Sequence, residues 1–202
     1  SDDPDMTGRF VFPAIVKPNA EGSSKGIADC AVVADRRELR ELVARNIRLY
    51  RQDMLVEEYI AGREFTVAVL GNGPDTRVFE PMEVVWLKPC KHNVYSYPVK
   101  QNWKELVRYE CPAALSEGER TDIMATARRI YDALHCRDFS RVDFRLSADG
   151  KLYFIEINPL PGLAPGYSDF PMIAQRCGMD YPSLIGAVLS AALRRAGLPG
   201  RL

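Results

Sequence analysis

A short β-prone run covers Phe10 to Lys17, and a second covers Ile27 to Val33, with the loop PNAEGSSKG (residues 18–26) between them. This pattern predicts strand, glycine-containing loop, strand. The period then changes. Leu39, Leu42, Val43, Ile47 and Tyr50 recur at helical spacing behind a D-x-x-E start made by Asp35 and Glu38, so a helix follows. Together these elements predict a small α+β lobe.

Further along, Met54 to Ile60 and Glu64 to Leu70 read as strands around the turn Ala61-Gly62-Arg63. Asn72-Gly73-Pro74 turns the chain into another strand through Val78 to Leu87, which predicts antiparallel sheet. Residues 88–112 show no period and predict a long loop of the kind that carries function. Ser116 and Glu119 form a capping box before a helix whose inner face is Ile123, Ala127, Ile130 and Leu134. Two strands, a Pro/Gly-rich loop and C-terminal helices complete the chain.

The two late strands carry the clearest chemistry. In SRVDFRLSADGKLYFIEIN (residues 140–158), two alternating runs flank Asp149-Gly150, the pair favoured by a two-residue type I′ turn. That turn places Asp143 opposite Glu156, Arg141 opposite Asn158, Val142 opposite Ile157 and Phe144 opposite Ile155. Like charges directly opposite are destabilising, so a positive group is expected between Asp143 and Glu156. Two carboxylates and the Asn158 amide oxygen suit Mg²⁺. The competing reading is a solvated hairpin face with an Arg141–Asp143 pair of little consequence. Arg145, opposite Phe154, reads as surface decoration.

A second candidate is VKPNAEGSSKGI (residues 16–27). Gly22 and Gly26, the Ser23 and Ser24 hydroxyls, main-chain N–H groups and two lysines suit a phosphate, although Gly-Ser-Ser-Lys-Gly also fits an ordinary hairpin tip. G-x-x-x-x-G-K-[ST] is absent, so this is not a Walker A loop. Lys17 ends an otherwise apolar strand, where either an anion partner or a snorkelling stem accounts for it.

Composition narrows the choices. Lys plus Arg and Asp plus Glu number 27 each, which leaves no field for a polyanion and argues against nucleic acid. Five scattered cysteines without a C-x-x-C pair argue against a disulfide framework or thiolate metal site and fit a reduced cytoplasmic setting. No apolar run reaches eighteen residues, so no membrane partner is expected. No G-x-S-x-G occurs, and His92 and His135 are the only histidines, so a nucleophilic triad or zinc site is poorly supported.

Taken in order, VKPNAEGSSKG, MLVEEYIAGREFTVAVLG (residues 54–71), YECPA (residues 109–113), SRVDF (residues 140–144) and FIEINPLPG (residues 154–162) resemble the ATP-grasp superfamily, and within it the ATP-binding portion of D-alanine:D-alanine ligases. The resemblance covers roughly residues 12 to 195. It implies an α+β fold of two α+β lobes with mainly antiparallel sheets gripping ATP between them. Residues 1–8 would be a linker or expression remnant and residues 9–202 the ATP-grasp domain, with a smaller lobe over about 9–56 and a larger one over about 57–202. The family's N-terminal substrate domain is absent.

Residue by residue, Lys17 resembles the lysine that contacts ATP phosphates, and Gly22, Ser23 and Ser24 resemble the loop that closes over them. Glu57, Glu58 and Ile60 resemble the adenine hinge, Glu64 the ribose ligand, and Ile155 a nucleotide contact. Lys100 resembles a phosphate-contacting lysine from a mobile lid. Asp143, Glu156 and Asn158 match the magnesium ligands, for two Mg²⁺ ions with Mn²⁺ as a substitute. Arg141 resembles the arginine that stabilises the acyl phosphate and tetrahedral intermediate. Gly162, Tyr167 and Ser168 are placed to shape the acceptor pocket.

The implied activity is ADP-forming ligation of a carboxylate to an amine, both small molecules of amino-acid type, with Lys17, Lys100 and Arg141 as catalytic groups. A homodimer is compatible with it. The alternative is a non-catalytic or regulatory ATP-binding module, inactive as this fragment. Two departures from the family bear on substrate choice: Gln101 stands where the dipeptide-forming enzymes have an aromatic residue, and the exit NPLPGLAPGYSDFP is longer and richer in proline.

Overall fold

The computed structural model describes residues 8–20, 31–88, 92 and 103–199. The chain divides into two compact units, Ser1–Ala61 with Trp86–Arg108, and Gly62–Val85 with Tyr109–Leu202.

In the first unit, β1 (Ala14–Pro18) lies between β2 (Val32–Val33) and β3 (Met54–Glu58) in an antiparallel three-stranded sheet. Helix α1 (Arg36–Tyr50) begins at Asp35, whose carboxylate accepts from the N–H groups of Arg37 and Glu38 at 2.8 and 2.9 Å. This satisfies two of the donors a helix start leaves open. Leu39, Leu42 and Val43 then pack on Ala14, Val16 and Val33. Period two sends Ala14 and Val16 to that core and leaves Ile15 and Lys17 on the opposite face. A short helix, α2 (Trp103–Leu106), returns its Leu106 carbonyl to the Leu87 N–H at 2.9 Å.

The other unit is built on β4 (Gly62–Leu70), flanked by β5 (Arg77–Val78) and β6 (Met82–Trp86) on one side and by β8 (Phe139–Ser147) on the other. With β7 (Val107–Glu110) and β9 (Leu152–Asn158), the sheet has the order β7-β6-β4-β8-β9. Met54 to Ile60 and Glu64 to Leu70, expected as neighbours around one turn, instead enter two different sheets. Gly62 explains part of this. Its φ is 152° and a Cβ there would collide with the Leu146 carbonyl, so the chain runs tightly along β8 from the first residue of β4.

One face of this sheet is covered by α3 (Glu117–Ala133). Its capping box is complete: Glu119 N–H donates to Ser116 Oγ at 3.3 Å, and Ser116 N–H donates to the Glu119 carboxylate at 2.9 Å. Ile123, Ala127 and Tyr131 meet Phe65, Val67, Val142 and Phe144 in the main core. Each such large apolar side chain, once buried, contributes about 1.5–3 kcal/mol. Leu134, expected on the same face, falls after the last turn and is exposed, while Tyr131 takes its place and donates its hydroxyl to the Gly71 carbonyl at 2.8 Å. The opposite face is covered at one end by α4 (Asp169–Arg176), followed by α5 (Tyr181–Arg195). Phe170 of α4 packs edge-on against Phe79 and Phe139.

No helix among the described residues is long and apolar enough to cross a membrane.

Candidate functional site

The β8–β9 hairpin brings Arg141 opposite Asn158, Val142 opposite Ile157 and Asp143 opposite Glu156, the register expected at those positions. It arrives there by a different route. The turn is a three-residue loop, Ala148 to Gly150, in which Gly150 N–H donates to the Ser147 carbonyl at 2.9 Å and Ser147 N–H donates to the Lys151 carbonyl at 3.0 Å. Gly150 has φ 80°, as a type I turn closed by a left-handed residue requires. This moves the outer pairs by one residue, so Arg145 faces Tyr153 and Phe144 faces Phe154. A β-bulge after Asp143 then leaves Ile155 as the extra residue and restores the register at Glu156.

Arg145 is accordingly not surface decoration. It is 7% exposed, and it pairs with Glu64 on β4 at 2.7 Å. Cross-strand pairing makes this face a row: Glu64 beside Arg145, Thr66 beside Asp143, and Ala68 beside Arg141. Thr66 donates to Asp143 Oδ1 at 2.7 Å. Arg141 grips the same carboxylate with Nε and Nη2, at 3.0 and 2.9 Å, and reaches Asp169 at the start of α4 through Nη1 at 3.1 Å. Asn158 Nδ2 lies 3.1 Å from Glu156 Oε1 and 3.4 Å from Asp143 Oδ2.

Burial works against the charge of Arg141, but the carboxylates of Asp143, Asp169 and Glu156 outweigh it and hold its pKa above the ordinary arginine value. It is a fixed cation. Across the row, four carboxylates (Glu64, Asp143, Glu156 and Asp169) meet two guanidiniums, leaving a surplus of two negative charges. Among the described residues no three His, Cys, Asp or Glu side chains gather as a metal cluster. The hairpin instead offers two carboxylates and an amide, and turning the Asn158 amide by 180° presents its oxygen beside them. An all-oxygen set with that charge surplus fits a hard divalent cation.

In the first unit, Lys17 is ion-paired with Glu57, on the sheet face away from α1. Glu58 points the other way, as adjacent strand residues must, and is exposed. Ile60 follows the strand and is half-buried. Gly162 lies in the loop after β9, where a Cβ would come within 2.7 Å of Ser168 Oγ. That hydroxyl accepts the Ala164 N–H at 3.2 Å, and Tyr167 beside it is 63% exposed. Gly22, Ser23, Ser24 and Lys100 lie outside the described residues.

Thr66 and Asp169 were missed by sequence reasoning. Thr66 carries no signal short of the β4–β8 register. Asp169 precedes an apolar helix start and reads as a helix N-terminal acid, so its reach to Arg141 shows only in three dimensions.

The sequence profile of the family described as D-ala D-ala ligase C-terminus matches residues 4–190. This chain belongs to that family. Among curated relatives, the D-alanine–D-alanine ligase of Bordetella pertussis is 37% identical over 193 residues, 96% of this chain and 58% of that protein. That of Dechloromonas aromatica is 34% identical over 192 residues, 95% of this chain and 59% of that protein. The chain therefore spans just under three fifths of the length of these relatives. Of solved structures, the D-alanine-D-alanine ligase of Coxiella burnetii aligns with a TM-score of 0.69 at 26% identity, covering 92% of this chain and 46% of that one. The VanG D-Ala:D-Ser ligase of Enterococcus faecalis aligns at 0.70 and 27%, covering 89% and 49%. The fold is the α+β ATP-grasp fold of this family.

Proposed function

We propose that this chain is the nucleotide-binding and catalytic part of a cytoplasmic, ADP-forming carboxylate–amine ligase that joins amino acids, completed by an N-terminal substrate domain. The observation that carries the reading is the hairpin face, with Arg141 fixed between Asp143 and Asp169 beside the oxygen donors of Glu156 and Asn158. A substrate carboxylate oxygen attacks the γ-phosphorus of ATP and ADP leaves. The amine nitrogen then attacks the acyl carbon of the acyl phosphate, phosphate leaves, and the amine's proton passes to solvent. No covalent enzyme intermediate is needed.

The chain's own part is positioning and charge. Arg141 supplies a fixed cation for the oxyanion that develops at the acyl carbon. Lys17 and Lys100 contact phosphate oxygens, and Gly22, Ser23 and Ser24 close over them. Glu57, Glu58, Ile60 and Ile155 hold the adenine and Glu64 the ribose. Asp143, Glu156 and Asn158 hold Mg²⁺, which when bound offsets the phosphate charge. Gly162, Tyr167 and Ser168 shape the acceptor pocket.

Calorimetric titration with a non-hydrolysable ATP analogue, with and without Mg²⁺, tests this reading. Metal-dependent binding that weakens in Glu156→Gln is expected, together with amino-acid-dependent phosphate release by the full-length protein. Nucleotide binding without such release would favour a regulatory module. A folded full-length protein that binds no nucleotide at all would overturn both.

A further inference from the structure

Cys111 and Cys177 are 66 residues apart in sequence, yet their sulfurs lie 4.0 Å from each other. Neither touches the hairpin site. Cys111 leaves β7, the edge strand of the larger sheet, and Cys177 ends α4. Both are half-buried beside exposed neighbours, Pro112 on one side and Arg176 and Gly178 on the other, so a small reagent can reach them.

The geometry points to a modification site: Cys111 and Cys177 form a dithiol that a small-molecule disulfide of the glutathione class converts reversibly into an intramolecular disulfide. A disulfide needs its sulfurs about 2.05 Å apart, so closure requires an approach of about 2 Å. The surroundings can supply that. Cys177 sits in the last turn, its N–H shared between the Ile173 and Ala174 carbonyls, and Gly178 follows with φ 82°. Helix ends of this kind adjust readily. Cys111 Sγ lies 3.8 Å from the Glu80 carbonyl, on the same side as its partner sulfur.

The order of events follows from burial. Burial, and then the neighbouring Cys177 sulfur, push the Cys111 thiol up to about 12, so Cys111 holds little thiolate at neutral pH. The first attack on the glutathione disulfide therefore falls to Cys177, whose sulfur forms a mixed disulfide as one glutathione thiolate leaves. Cys111 then gives up its proton, attacks the Cys177 sulfur and expels the second glutathione. Two electrons and two protons pass from the dithiol to the reagent, which ends as two thiols. Because the bond closes a long loop, the oxidised chain is the more stable form.

The whole folded chain, incubated with glutathione disulfide, quenched by alkylation and digested, is expected to yield a peptide pair joined through Cys111 and Cys177. Dithiothreitol should reverse the link, and the oxidised chain should melt several degrees higher. C111S should instead accumulate a glutathione adduct at Cys177. If both thiols of the native chain stay alkylatable and link only after denaturant is added, or if C111S carries no adduct, the assignment is wrong.

Discussion

Asp169→Ala removes one of the two carboxylates that hold Arg141. The lost contact is a single charge-assisted hydrogen bond of 3.1 Å between side chains 14% and 16% exposed. Bonds to charged groups of this kind contribute about 1.5–3 kcal/mol, and so little exposure leaves them weakly screened. Removing the only partner of a buried charge costs about 3–5 kcal/mol. Arg141 keeps its two bonds to Asp143, so the cost should stay below that, near 2 kcal/mol. Asp169 also opens α4, and loss of an acidic first-turn residue accounts for about 0.3–1 kcal/mol independently of Arg141. A double-mutant cycle with Arg141→Ala separates the two, and a coupling energy of about 1–2 kcal/mol is expected by urea unfolding. For a chain of this size the single variant should melt roughly 4–8 °C lower. Mg²⁺-dependent binding of the ATP analogue should change less than about twofold, since one unit of log affinity requires about 1.4 kcal/mol and Asp169 lies outside the oxygen-donor set. A coupling below about 0.5 kcal/mol would refute the reasoning, because Asp169 would then touch Arg141 without holding it.

Tyr131→Phe should destabilise by about 1–2 kcal/mol in the same unfolding assay, because it leaves the buried Gly71 carbonyl without its 2.8 Å donor. Gly62→Ala should cost more than about 3 kcal/mol or prevent folding, measured as loss of soluble cooperative unfolding, since its Cβ meets the Leu146 backbone and not a movable side chain. Asp138 is held below the usual carboxylate range by Arg195, with Asn72 assisting against burial. Its folded pKa is thus below the unfolded one, so its stabilisation is present above about pH 4 and is lost as pH falls through the folded value. Acid titration of thermal stability should show this loss in the native chain and a shallower one in Asp138→Asn.

Legibility in the sequence followed how local the determinant is. Asp35 and the Ser116–Glu119 box announce helix starts within four residues, and both form. The pairing of Asp143 with Glu156 was also readable, because alternation on both strands fixes which residues share a face. The separation of β3 from β4 was not. Ala61-Gly62-Arg63 has the composition of a hairpin turn, and only the close passage of Gly62 along β8 shows that the chain changes sheets there. Arg145 was misread for a related reason, since its burial depends on Glu64, 81 residues away. Tyr131 took the place expected for Leu134 because the helix ends at Ala133 and the chain then turns away from the core.

The bulge at Ile155 separates the carboxylate pair from the tip of its own hairpin. The Asp143–Glu156 alignment is set by pairing with β4 and by that local irregularity, so it does not depend on the number of residues between Ser147 and Lys151. Turn length can therefore vary, by natural insertion or by a grafted peptide at Asp149 and Gly150, while the inner half of the hairpin keeps its donors in place. The tip is a free end of the design, suited to carrying a label or a recognition sequence.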